Sequence, residues 1–298
     1  MTEPFDIAYV GHYTKDTIVY PSATQTIDGG AFYYGCNVIA RMGLRAAVIT
    51  RLAREDWRVV DELEGLGVAV FARATPHSTC LRLVYPSANL DERTIELTSS
   101  AGAFTVDEVA GVNARAFIVG ASVRGEVPTK VVEALAAKGA LIALDVQGFM
   151  RVLSGQTLTL DDWPGKESIL RRVTVLKTDA VEAEQLTGES DRRAAARRLA
   201  AYGVREVLLT HNGGVLVHHG GMIDEALLVP REVRGRSGRG DTCTAAYVSR
   251  RLTSPPADAV AWAAAVTSLK LEAEGPFRRE LSEVEPLFSE LRVSLTSS

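Results

Sequence analysis

The stretch "GRSGRGDTCTAAY", residues 235–247, sets glycines at 235, 238 and 240, a lone acid at Asp241, and then a run of small residues that reads as a helix. Backbone N–H groups can converge on an anion only where no Cβ obstructs the turn. The N-terminus of a following helix adds about half a positive charge. Such a loop suits a phosphoryl group in transit, and a carboxylate beside it can accept the proton of an attacking hydroxyl. The same residues also suit a plainer role, in which Asp241 caps the helix "DTCTAAYVSRRL" that Ser254, Pro255 and Pro256 end. This stretch by itself leaves both readings open. Other glycine motifs fail by spacing: there is no GxxxxGK[ST], and positions 235, 238 and 240 do not make GxGxxG. The tripeptide Arg239-Gly240-Asp241 reads as a chance match to an adhesion ligand.

Outward from this loop, short apolar runs alternate with helical patterns. Strands are predicted at 6–11, 46–51, 116–121, 141–146, 173–178 and 206–211, with continuous apolar character that fits burial on both faces. Between them lie helices such as "GEVPTKVVEALAAKG" and "SDRRAAARRLAAYG", the second with Ser190 or Asp191 as cap and Gly203 as stop. The pattern predicts one α/β domain over 1–298, a three-layer α/β/α sandwich around a mostly parallel sheet. Two segments, about 14–27 and 76–100, instead alternate apolar with polar residues around Pro-Ser turns. They read as antiparallel strands of a small inserted sheet, a candidate lid. Leu81, Leu83 and Ile95 would make its exposed face apolar, which suits either a homodimer through the lid or a lid folded onto its own body. The terminal "VSLTSS" reads as a frayed tail.

Bulk composition narrows the function classes. The 298 residues are 46% hydrophobic and 23% charged, enough for a substantial core. A net charge of -4 gives no reason to expect nucleic acid or an anionic membrane as partner. Cys36, Cys80 and Cys243 are scattered and odd in number, which fits a reduced, cytoplasmic setting and neither a disulfide framework nor a zinc site. The start "MTEPFD" has no signal-peptide character, and the apolar run from Ala259 meets Lys270 too early to span a bilayer.

Ligands of open α/β sheets gather beyond the carboxyl ends of the strands. Asp16, Asp145, Lys177, Asp179, and the run from Thr210 to Gly214 all fall at such ends. Together with "SGRGDTCTAAY", these landmarks resemble, in order, the ribokinase-like (PfkB-type) carbohydrate kinases. "YVGHYTKDTIVY" resembles the opening strand with its substrate-binding acid, and "DGGAFYYGCNVIARMG" the Gly-Gly motif and its helix. "VLKTDAVEAEQLTG" is similar to the N-x-x-E…LTG element, "VLLTHNGG" to the nucleotide-side turn, and "SLKLEAEGPF" to the closing helix.

The resemblance implies a ribokinase-like fold with a β lid and phosphoryl transfer from ATP with Mg²⁺ to a small sugar or polyol. It implies Asp241 as general base and the N–H groups of Gly238, Arg239 and Gly240 as anion hole. Asp16, Gly29, Gly30, Tyr34, Asn37, Asp145, Gln147 and Arg151 would bind the acceptor. Lys177, Asp179, Thr210 and Gly213 would serve the nucleotide, and Glu182 would place the metal ion.

Several positions depart from the family pattern. Tyr34 stands where Asn is usual, Asp179 where Asn is commoner, and Arg239 where Ala is usual; the Arg239 guanidinium could reach a phosphate or point to water. Gly235 replaces an Asp, which puts a bound monovalent cation in doubt, and the Gly-rich turn expected in "TRLAREDWRVV" is absent. "VGHYTKDTIV", "GGAFYYGCNV" and "LDVQGFMRV" resemble the plant-type inositol kinases more than ribokinase, which makes myo-inositol the first acceptor to consider. A nucleoside kinase of the same family, and a catalytically inactive sugar- or nucleotide-binding member, are the alternatives.

Overall fold

The structure, a computed structural model, describes residues 3–87 and 92–297. Residues 88–91 of the second inserted segment lie outside the described residues. Among those described, ten strands form one sheet in the order 296–297, 222–227, 214–219, 206–211, 175–179, 141–145, 114–119, 5–10, 46–53, 69–75. Every pairing from Glu206–His211 across to Ala69–Thr75 is parallel. Beyond Glu206–His211 the sheet turns antiparallel through Gly214–His219, Met222–Leu227 and the pair Thr296–Ser297.

The period of two along each strand divides the core into halves. Ile7 and Tyr9 face one side, where Phe32, Ile39, Val248 and Trp262 pack. Ala8 and Val10 face the other, against Val131, Leu135, Leu186 and Leu199. Helices thus cover both faces, as the continuous apolar runs require. The predicted helix over "SDRRAAARRLAAYG" spans Arg192–Ala200, and the Asp191 side chain accepts the Ala194 N–H at 2.7 Å. The tail is not frayed throughout: Glu225 pairs with Thr296, Asp224 pairs with Ser297, and the Ser297 hydroxyl donates to the Asp224 carboxylate.

A second sheet of six strands runs in the order 151–154, 157–160, 94–99, 79–84, 14–19, 24–29. The two predicted segments supply its centre and one edge, but the hairpin of Arg151–Ser154 and Thr157–Leu160 completes it, and Thr14–Val19 pairs parallel with Thr79–Val84. Its apolar face is turned inward. Leu81 and Leu83 are each 7% exposed, cluster with Ile18 and Tyr85, and face the cavity between the sheets. Leu81 and Leu83 are covered within the chain, with Ile95 half-buried beside them, as the reading of a lid folded onto its own body expects, because the small sheet folds over the carboxyl ends of the parallel strands.

Candidate active site

A cavity of about 300 Å³ opens between the two sheets. Its floor is made at the carboxyl ends of parallel strands, where the chain must leave the sheet and side chains escape the core. Asp145 ends one strand, Lys177 and Asp179 end the next, and Thr210 lies near the end of a third. The helix Arg239–Arg251 aims its N-terminus at the same cavity.

Asp241 is in the first turn of that helix, three places past the cap position. Gly238 occupies the cap position with φ 72°, and no side chain makes a capping bond there. A Cβ on Gly238 would sit 2.1 Å from the Tyr34 ring, so both the left-handed backbone and the close approach demand glycine. The Asp241 carboxylate lines the cavity instead. Burial pushes its carboxyl up to about 6, Asp145 adds to the shift, and Lys177, Arg151 and Lys270 oppose it. The capping role is therefore excluded by geometry.

The loop's donors differ from the expected set. The Arg239 N–H is engaged by the Arg236 carbonyl at 3.2 Å. Among the described residues the N–H groups of Gly238, Gly240 and Asp241 make no backbone bond outside the helix, and the first helical bond, from Thr242 to the Gly238 carbonyl, begins after them. Arg239 faces the cavity with a half-buried side chain, and burial holds its guanidinium below the usual range. What Arg239 offers the cavity is therefore its guanidinium, while its amide is spent within the loop.

Opposite this loop, Asp16 projects from Thr14–Val19. One of its carboxylate oxygens, Oδ1, is buried without a hydrogen-bond partner among the described residues, and burial pushes the carboxyl up to about 6. A buried acceptor in that condition calls for a donor, and a ligand hydroxyl would supply one. Gly29 lies behind it: a Cβ there would fall 2.7 Å from the Asp16 carboxylate. Gly30, at φ 98°, and Tyr34 line the cavity, as do Gln147 and Arg151, whose guanidinium burial holds below the usual range.

On the floor, Lys177 Nζ lies 3.0 Å from Asp145 Oδ2 and 3.9 Å from Glu182 Oε2. Burial works against its charge, but Asp145, Glu182 and Asp179 outweigh it and hold the ammonium protonated. Asp145 Oδ1 accepts the Gln147 N–H at 3.0 Å, so this residue is both turn former and counter-ion. Glu182 and Asp179 form a reciprocal capping box: Glu182 N–H donates to the Asp179 carboxylate at 2.8 Å, and Asp179 N–H to Glu182 Oε2 at 2.9 Å. Glu182 is 3% exposed and stands behind the lining. Two further residues also stand back. Asn37 spends its side-chain amide on the Tyr33 carbonyl within its own helix, and Gly213 donates its N–H to His211 while Thr210 and Asn212 reach the cavity. Arg93 and Arg236 line the cavity without having been singled out in the sequence; for Arg236 the only signal is its place inside "GRSGRGD".

Residues 5–279 match the model of the pfkB family carbohydrate kinases. The chain belongs to that family. As a pfkB kinase it is a phosphotransferase, and its relatives agree. It is 33% identical to a pyrophosphate-dependent kinase in the ribokinase family whose structure holds a pyrophosphate analog and myo-inositol, with a TM-score of 0.87 over 94% of this chain and 99% of that one. It is 32% identical, TM-score 0.87, to a pyrophosphate-dependent myo-inositol-1 kinase that two substitutions to leucine convert into a myo-inositol-3 kinase; 96% of this chain and 99% of that one are covered. It is 22% identical over 259 residues to the cytidine kinase of Thermococcus kodakarensis, 82% of this chain and 87% of that protein. Among the described residues no helix is long and apolar enough to cross a membrane.

Proposed function

We propose that this pfkB kinase phosphorylates one hydroxyl of a cyclitol, myo-inositol first, and that its phosphoryl donor is pyrophosphate. The observation that carries the phosphoryl-transfer reading is the Asp241 carboxylate, released from any capping duty and set in the cavity beside the N–H groups of Gly238 and Gly240. In this reading Asp241 takes the proton of the attacking hydroxyl as that oxygen bonds to the donor's terminal phosphorus. The bond from that phosphorus to the bridging oxygen breaks, and phosphate leaves. The loop amides and the Arg239 guanidinium hold the equatorial oxygens as charge moves through them. Asp16 orients the acceptor by taking a neighbouring hydroxyl, which satisfies its unpartnered oxygen.

The choice of donor rests on the wall behind the loop. ATP, expected from the family resemblance, brings a base that needs an apolar or aromatic platform. Among the described residues Tyr34 is the one aromatic side chain in the lining, and it lies under Gly238. The rest of that wall is Lys177, Asp179, Thr210, Asn212, Arg236 and Arg239, a surface for charge. Pyrophosphate is small and densely charged, and the 33% identical neighbour uses it. The acceptor faces Leu81, Leu83 and Ile95, which suit the C–H face of a saturated ring.

A Mg²⁺ ion implied by the family finds oxygen donors only, which suits a hard cation. Among the described residues no cluster of three metal-ligating side chains exists, so such an ion would be held largely by water and phosphate, with Asp179 at the lining and Glu182 behind it. It would neutralise donor charge when bound.

The test is turnover of myo-inositol with pyrophosphate or with ATP, read as inositol phosphate formed. Pyrophosphate should sustain turnover and ATP should be the poorer donor. Turnover with ATP and none with pyrophosphate would refute the donor assignment while leaving the acceptor in place.

A further inference from the structure

Helix Pro256–Leu271 ends in a buried ammonium that the reaction does not use. Lys270 is 2% exposed, and its Nζ donates to the Gly235 carbonyl at 2.8 Å and to the Ser237 carbonyl at 2.5 Å. Both carbonyls belong to the segment that leads into Gly238. The Tyr34 ring, on which Gly238 packs, has its centroid 5.7 Å from the same Nζ. Its direct contacts are neutral oxygens and a π face, as around a bound monovalent cation, while the carboxylates of Asp241 and Glu274 act on it only through space.

The segment needs such a tie. Residues 236 and 237 line the catalytic cavity on one side, and residues 234–237 line a second cavity of about 330 Å³ on the other. A strip of chain with space on both faces gains little from packing. It is held instead by the end of one helix, which offers both polarities. The Leu271 carbonyl accepts the N–H groups of Arg234 and Gly235 at 2.8 and 3.2 Å, while the Lys270 ammonium takes the carbonyls of Gly235 and Ser237. Placement at a helix C-terminus offsets part of the cost of burying the charge. Gly235 fits closely here: a Cβ would fall 2.2 Å from the Ala273 carbonyl oxygen, so no side chain at 235 can supply a carboxylate for an ion.

We propose that Lys270 is a tethered monovalent cation, a positioning residue whose ammonium ties Gly235 and Ser237 together, fixes the loop amides of Gly238, Gly240 and Asp241 and makes the enzyme independent of added potassium. This rests on the phosphate-site reading of that loop, so the test includes a binding readout besides turnover.

The experiment compares wild type, Lys270→Ala and Lys270→Met in choline, potassium and ammonium chloride, measuring pyrophosphate affinity by calorimetry and turnover of myo-inositol. Wild type should behave alike in all three salts. Lys270→Ala should lose about 100-fold in turnover in choline, the scale expected of a misplaced binding group. Potassium or ammonium, which fit the vacated space, should restore most of the loss. Lys270→Met, which fills that space without a charge, should not be restored by any salt. Potassium dependence in wild type, or a Lys270→Ala enzyme equally active or equally impaired in all three salts, would overturn the proposal. If Lys270→Ala does not fold, the salt response of wild type still decides. A wild type that binds pyrophosphate with the same affinity as Asp241→Asn but turns over no acceptor would refute the proposed reaction, and the salt dependence of binding would still judge Lys270.

Discussion

The cavity has two walls held in different ways. The wall at residues 234–241 is pinned by a helix end, by a glycine locked over Tyr34 and, below it, by the buried Lys177–Asp145 pair. The wall formed by the small sheet presents Leu81, Leu83 and Ile95 from a minor cluster of its own. Charge must meet preset dipoles without reorganisation during the reaction, so the first wall is tied by hydrogen bonds and ion pairs. An apolar wall recognises shape through many weak contacts and tolerates substitution. Under the proposed function the first wall would carry the chemistry and the second the choice of acceptor.

The sharpest way to break this division is Asp241→Asn. Turnover should fall by about 10²–10⁴-fold, the usual contribution of a general base. Stability should move the other way. A carboxyl raised to about 6 in the folded state, from 3.8, binds more protons folded than unfolded between those values, so stability is lost as pH rises through that window. The Asn variant should therefore melt higher than wild type at pH 8, with the gap closing below pH 4. The turnover of wild type should fall as pH drops below about 6, when the base is protonated. An Asn variant that turns over normally would remove the base.

The next largest effect tests how the first wall is held. Lys177→Met leaves Asp145 and Glu182 buried without their counter-ion, and breaking such a pair costs about 3–5 kcal/mol. The melting temperature should drop, and adding Glu182→Gln should return part of it. No change on melting would mean the pair contributes nothing to that wall. The smallest effect belongs to the apolar wall. Leu81→Asn with Ile95→Ser should leave turnover within about tenfold, a loss of 1–2 kcal/mol in contacts, while changing the ratio of inositol phosphate isomers. An unchanged ratio would show that the small sheet does not choose the hydroxyl.

The parallel strands were legible because burial on both faces leaves continuous apolar runs, as in "DIAYVG" and "EVLLTH". Strands at the sheet margins were not. Ala69–Thr75 is an edge strand of half-buried and exposed residues with no buried face, and Arg151–Ser154 and Thr157–Leu160 are too short to show a period. Asp145, Lys177, Asp179 and Asp241 reach the cavity from strand ends and the glycine loop that the sequence marks, whereas Asp16 reaches it from inside the strand Thr14–Val19. Lys270 carried a weaker signal: in sequence it only interrupts an apolar run.

By itself the chain determined its layers, its mostly parallel sheet and the need for glycine in the loop at 235–240, since these follow from local periodicity and from the few conformations glycine alone permits. Tertiary structure decided the rest. It turned Leu81 and Leu83 inward and brought Lys270 from another helix onto the carbonyls of Gly235 and Ser237. Both outcomes depend on contacts between residues far apart in the chain, and no local pattern encodes them.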